Sequence, residues 1–184
     1  KFADNGMDEK TIRLIAQMHK AMTIIQFKLE GEIIRRRPEF DMADRLLLDL
    51  LDLQQGTVTI DGKAYPLTDT HFPTIDPNDP YRLTEGELDL MEKIGHSFES
   101  SEKLKKHMRC FFRHGSMYQV CNSNLLFHAS IPMNADGTFK QVRILDKEYA
   151  GKALLDKVDQ LVREAYFKTG EPEELAFACD YLWY

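Results

Sequence analysis

Few residues in this chain have the type and setting to do chemistry. His128 is the first, in the stretch Asn124-Leu-Leu-Phe-His-Ala-Ser-Ile-Pro132. An apolar strand that runs into a histidine, two small residues and a proline presents an imidazole at a strand end. A neutral ring nitrogen placed there at a cleft can bind a metal ion. The same pattern also fits a core histidine satisfied by its neighbours. The second feature is Arg35-Arg36-Arg37. Guanidinium groups match phosphate oxygens through paired hydrogen bonds, so the run reads as a substrate-phosphate site. The competing reading is structural, because cations also favour the negative end of a helix dipole. Successive helical residues are splayed by about 100°, so one or two of the three can reach a single ligand.

Other reactive residues are isolated. His107 and Cys110 lie three apart on one predicted helix, too few to hold a metal alone, and Asp69 and His71 fall in a proline-rich loop. No G-x-x-x-x-G-K-[ST], G-x-S-x-G, G-x-G-x-x-G or H-E-x-x-H pattern occurs. No complete catalytic constellation can be assembled from the chain.

The composition frames these candidates. With 184 residues, 43% hydrophobic and 29% charged, the chain is long enough for one domain or two small lobes with a real core. A net charge of -6 argues against general nucleic-acid binding. No apolar run approaches the roughly 20 residues of a membrane helix, and no signal-peptide pattern opens the chain. Cys110, Cys121 and Cys179 are odd in number and widely spaced, which points to reduced thiols and a cytoplasmic location. The start at Lys1 and the apolar end at Tyr184 suggest a segment of a longer protein.

The elements that must carry these residues follow from periodicity. Ile15, Met18, Met22, Ile25, Leu29 and Ile33 step by three and four, which predicts a helix over 7–36, ended by Pro38. Ile24, Phe27 and Ile34 widen its apolar face. A second helix is expected over 42–53, with Asp41 as its cap. Asp61-Gly62 between two β-prone runs predicts a hairpin over 57–67. The segment 68–82 contains three prolines and should be irregular. Thr84-Glu-Gly-Glu87 reads as a capping box that opens a helix to about 98. Ser100 or Ser101 caps the next helix, which Gly115 stops near 114. Strands are expected over 117–121, 125–131 and 138–144, with turns at 122–124 and 134–137. Helices over 147–169 and 172–184 close the chain. The fold class is α+β: a helical half, a small antiparallel sheet, then helices.

Several blocks, in order, resemble class III fructose-1,6-bisphosphatases. They are Met18-His-Lys-Ala-Met-Thr-Ile-Ile-Gln-Phe-Lys-Leu-Glu-Gly-Glu-Ile-Ile-Arg-Arg-Arg-Pro-Glu-Phe40, Arg45-Leu-Leu-Leu48, Asp61-Gly-Lys-Ala-Tyr-Pro-Leu67, Asp69-Thr-His-Phe-Pro-Thr-Ile75 and Asn124-Leu-Leu-Phe-His128 with Ile131-Pro132. That family belongs to the calcineurin-like metallophosphatases. The resemblance implies a β-sandwich core flanked by helices. It also implies two manganese ions, a bridging hydroxide that attacks phosphorus, and His128 as one metal ligand. Ala129 and Ser130 depart from the glycine and cysteine expected after that histidine. The other metal motifs of the family do not occur in the 184 residues.

The expected organisation is therefore a helical insertion over 1–115 with its hairpin near 57–67, followed by part of the metallophosphatase core over 116–184. The activity implied for the whole protein is hydrolysis of the 1-phosphate of fructose 1,6-bisphosphate in gluconeogenesis. Arg35, Arg36 and Arg37 become candidates for the phosphate that is not cleaved. The segment alone is expected to be inactive, since one ligand cannot hold two ions. The implied partners are the small-molecule sugar bisphosphate and the remainder of the same polypeptide, with a homo-oligomer as an open option. Neither nucleic acid nor a membrane is expected. The alternative is a non-catalytic helical interaction or regulatory module, with the first helix as its docking element.

Overall fold

The computed structural model describes residues 6–128 and 130–184. Two compact units divide between Ser97 and Phe98.

The first unit is organised by α1 (Glu9–Arg36). Asp8 caps it by accepting from the Thr11 amide at 3.0 Å. The Arg37 amide closes the far end on the Ile33 carbonyl, and Pro38 follows. The buried face of α1 is Ile24, Ile25, Lys28, Gly31 and Ile34. Ile24, Ile25 and Ile34 belong to the apolar face expected from spacing, whereas Met18 and Met22 of that stripe are exposed. The covered face is centred on a lysine and a glycine, because Lys28 meets Glu87 and the Thr74 carbonyl and Gly31 meets the Tyr81 ring.

The helix expected over 42–53 does not form. Three short 3-10 turns stand there (Pro38–Phe40, Ala43–Arg45 and Leu47–Leu50), followed by β1 (Leu51–Asp52). Burial explains the difference. Leu46, Leu48, Leu51 and Leu53 all pack into one cluster with Ile24, Ile75 and Tyr81. In an α-helix Leu46 and Leu48 would lie about 200° apart and could not share it. Tyr81 holds the irregular path: its hydroxyl accepts from the Leu48 amide at 3.1 Å and the Asp49 amide at 3.3 Å.

The hairpin forms as expected. β2 (Thr57–Ile60) pairs with β3 (Lys63–Pro66), Ile60 opposite Lys63, and Asp61 and Gly62 both take positive φ in the turn. β1 adds to the other edge of β2, with Leu51 opposite Val58. The capping box is also present. Thr84 N donates to Glu87 Oε2 at 2.8 Å, and Glu87 N donates to Thr84 Oγ1 at 3.3 Å. It opens α2 (Glu85–Ser100).

The second unit begins with α3 (Glu102–His114), capped by Ser101 through the Leu104 amide. Gly115 ends α3 in extended backbone, not the left-handed cap expected of a terminal glycine. It is required for closeness instead: a Cβ there would lie 2.7 Å from the Phe111 carbonyl oxygen. β4 (Tyr118–Cys121) and β5 (Asn124–Phe127) form a hairpin through Asn122 and Ser123, both at positive φ. β5 stops at Phe127, short of the expected 131.

The third expected strand is reduced to β6 (Val142–Ile144). It pairs with β7 (Lys147–Tyr149), where a helix was expected to start. Leu145 takes positive φ at this turn, a conformation that its type does not signal. The sheet is thus two separate antiparallel hairpins. α4 (Gly151–Phe167) and α5 (Pro172–Trp183) complete the unit. Its buried residues include Phe112, Ile144, Leu154, Leu161 and Phe177. The fold is α+β, with small antiparallel sheets among five α-helices in the described residues.

Candidate functional site

The arginine run lies at the end of α1 in the first unit. Arg35 is held from several sides. Its Nη1 lies 3.2 Å from Asp79 Oδ1, its Nη2 3.7 Å from Asp49 Oδ1, and its guanidinium carbon 4.2 Å from the Tyr81 ring centroid. It borders an open cleft of about 550 Å³ whose other polar lining includes Asp49, Asp52, Gln54 and Asn78. Two aspartates against one arginine make that cleft acidic, a poor environment for a phosphate. Arg36 is exposed. Arg37 lies 3.7 Å from Glu39. Arg35 and Arg37 thus each lie beside carboxylates.

His128 lies in the second unit, one residue past β5, and its side chain is exposed. It is not enclosed in a core. It lines a shallow cleft of about 330 Å³ with His114, Ser116 and Gln119 among its polar neighbours. Sequence reasoning passed over His114, which ends α3 with nothing in its spacing to tie it to His128. The corner that presents it is fixed from α4. Arg163 donates from Nη2 to the Gly115 carbonyl at 2.8 Å and from Nη1 to the Phe112 carbonyl. Asp159 orients that guanidinium, with Oδ2 2.7 Å from Nε. A carbonyl in the last turn of α3 and that of its cap residue are thereby satisfied by a side chain from another helix.

Among the described residues, no three His, Cys, Asp or Glu side chains come together to hold a metal ion. The residues of this chain therefore do not make a manganese cage by themselves. His107 and Cys110 are both exposed on α3. Asp69 accepts from Lys20 Nζ at 2.7 Å and from the His71 amide at 3.0 Å, which draws its carboxyl below the usual range. All three cysteines are free and exposed. No helix among the described residues is long and apolar enough to cross a membrane.

Comparison with known proteins gives the class first. A family model described as Firmicute fructose-1,6-bisphosphatase matches residues 1–184, and the chain belongs to that family. A class 3 fructose-1,6-bisphosphatase of Parabacteroides distasonis is 76% identical over 184 residues, all of this chain and 28% of the relative. Proteins of the same name are 63% identical in Bacteroides fragilis, over 183 residues, and 50% identical in Clostridium novyi, over 184 residues. Both alignments take in all of this chain and 28% of the relative. The chain thus spans under a third of the length of these relatives. No solved structure matches it.

Proposed function

We propose that this chain is part of a fructose-1,6-bisphosphatase, a phosphoric monoester hydrolase that removes the 1-phosphate of fructose 1,6-bisphosphate in gluconeogenesis in the cytoplasm. The observation that carries the reading is 76% identity, across the entire chain, to a protein of that name. Manganese is the proposed cofactor. When bound, paired metal ions polarise the phosphoryl oxygens and lower the pKa of a bound water. The part assigned to this chain is narrower: His128, accessible past the end of β5, supplies one ligand, and a longer polypeptide supplies the rest. The phosphate that is not cleaved must be held to orient the sugar. Arg35, Arg36 and Arg37 are the candidates for that role, and Arg35 is engaged by Asp49 and Asp79.

The test uses a polypeptide of the relatives' length that contains this sequence. It should release inorganic phosphate from fructose 1,6-bisphosphate with manganese, whereas the 184-residue chain alone should release none. In the longer protein, His128→Ala should remove most turnover while the far-ultraviolet circular dichroism stays that of the folded protein, since loss of one ligand disturbs the metal site and not the fold. Retention of near wild-type kcat by that variant at modest manganese would show that His128 is no ligand.

A further inference from the structure

We infer that the cleft between α1 and the 69–74 loop binds a small anion, a carboxylate or phosphate borne on a compact apolar body. The cleft lies within the first unit, and the inference is independent of the phosphatase reading. Its volume is about 430 Å³, within the few-hundred-Å³ range of small-molecule pockets. Arg13, Gln17 and Lys20 enter its lining from one face of α1, at helical steps of four and three.

The polar groups of this cleft are not equally available. Lys20 is committed: its Nζ lies 2.7 Å from Asp69 Oδ2, donates to the His71 carbonyl and sits 4.3 Å from the Phe72 ring centroid. Asp69 is committed in return to Lys20 and the His71 amide. These two charges cancel, and their contacts pin the loop to the helix, so the cleft is formed before any ligand arrives. Arg13 makes no hydrogen bond or ion pair to any described residue. Among the described residues, one guanidinium without a hydrogen bond or ion pair therefore lines a preformed cleft.

The apolar lining completes the chemistry. Buried Ile24, half-buried Phe72, Ala21 and Pro73 contribute carbon surface beside the polar groups. A guanidinium matches the paired oxygens of a carboxylate or phosphate. A cation would meet Arg13 and find its one potential partner, Asp69, already used. A neutral polyol would leave the apolar part of the lining unsatisfied. An anion on an apolar body fits both parts.

The experiment is isothermal titration of the chain with three probes at fixed ionic strength: phenyl phosphate, benzoate and inorganic phosphate. Saturable binding of phenyl phosphate or benzoate in the millimolar range or tighter is expected, with inorganic phosphate weaker. The tighter of the first two identifies the head group. Arg13→Ala should weaken binding tenfold or more with no change in melting temperature, since the side chain is exposed and without a described partner. Lys10→Ala removes the same charge from the same helix outside the cleft and should leave affinity within twofold. The inference is overturned if neither organic probe saturates, if Arg13→Ala binds like wild type, or if both variants weaken binding alike. The last result would mean diffuse attraction to a basic helix end.

Discussion

Replacing Glu87 with glutamine should unfold the first unit at a far lower temperature than the loss of one surface ion pair would. Lys28 is 0% exposed, and its ammonium has two partners: Glu87 Oε2 at 2.7 Å and the Thr74 carbonyl at 2.5 Å. Glu87 is itself buried, and burial pushes its carboxyl up, but hydrogen bonds from Lys28, the Thr84 amide and Thr74 outweigh this and hold it below the usual range. Glutamine keeps the shape and can still accept from Thr84, so the capping box survives. What is lost is the countercharge. Removing one partner of a buried pair costs about 3–5 kcal/mol. An escape route caps the loss, because the buried amine can give up its proton. For an ordinary lysine at pH 7 that costs about 4.6 kcal/mol, from a reference value near 10.4 and about 1.36 kcal/mol per unit. The expected deficit is therefore about 3–4.6 kcal/mol, on the order of 10 °C or more in melting temperature for a chain of this size.

The escape route also fixes the pH dependence. In the variant, the folded state reaches the neutral amine before the unfolded state does. The unfolded state then binds more protons, and stability rises with pH at up to about 1.4 kcal/mol per unit. The deficit against wild type should shrink between pH 7 and pH 10. The acid side belongs to the wild type. A carboxyl lowered on folding contributes stability that is present above its ordinary value near 4.5 and is lost as pH falls through the folded value. The assay is urea unfolding of both proteins at intervals from pH 3 to pH 10. Adding Lys28→Met to Glu87→Gln should restore at least half the loss, because the glutamine amide can then donate to the Thr74 carbonyl. A deficit under about 1 kcal/mol, or one that stays constant to pH 10, would refute the buried-charge reasoning.

Two further substitutions test the packing. A methyl group at Gly31 would lie 1.9 Å from Tyr81 Cδ1. Gly31→Ala should thus displace the ring and cost about 3 kcal/mol or more by urea unfolding, whereas alanine in an open helix position is favourable. Arg163→Met should lower the urea midpoint modestly, tempered by the partial exposure of the side chain, and should speed amide exchange at Ser116 and Met117 as the end of α3 loosens.

Elements with local signatures were legible in the sequence. Asp61-Gly62 determines a hairpin by its own backbone preference, and Thr84 with Glu87 determines a helix start by reciprocal hydrogen bonds. Pro38 likewise stops α1. The errors arose where distant residues decide. Residues 42–53 have the leucine content of a helix, but the Leu48 and Asp49 amides are taken by Tyr81, more than thirty positions away. The β6–β7 turn depends on Leu145 at positive φ, with no glycine or asparagine to announce it. Lys28 and Gly31 sit on the buried face of α1 for reasons no hydrophobic pattern contains: one needs a carboxylate from α2, the other a notch for an aromatic ring.

The candidate site rests on a different kind of signal. His128 was singled out because an apolar run ends on it, and that run has a physical reading. Leu125, Leu126 and Phe127 are consecutive in β5, so they point to alternate faces, yet all three are exposed, as is Val120 in β4. Strands that read as continuous apolar runs are those covered on both faces. Nothing described in this chain covers both faces of the β4–β5 hairpin. Under the proposed function, the cover and the remaining metal ligands share a source: a longer polypeptide that packs against β4 and β5 and meets His128 at their end. The two expectations therefore stand or fall together. In the longer protein, Leu126→Asp should lower manganese affinity along with stability, whereas in the 184-residue chain, where Leu126 is 54% exposed, it should change the unfolding free energy by less than about 0.5 kcal/mol. Equal destabilisation in both would mean that the hairpin gains no cover from the longer chain.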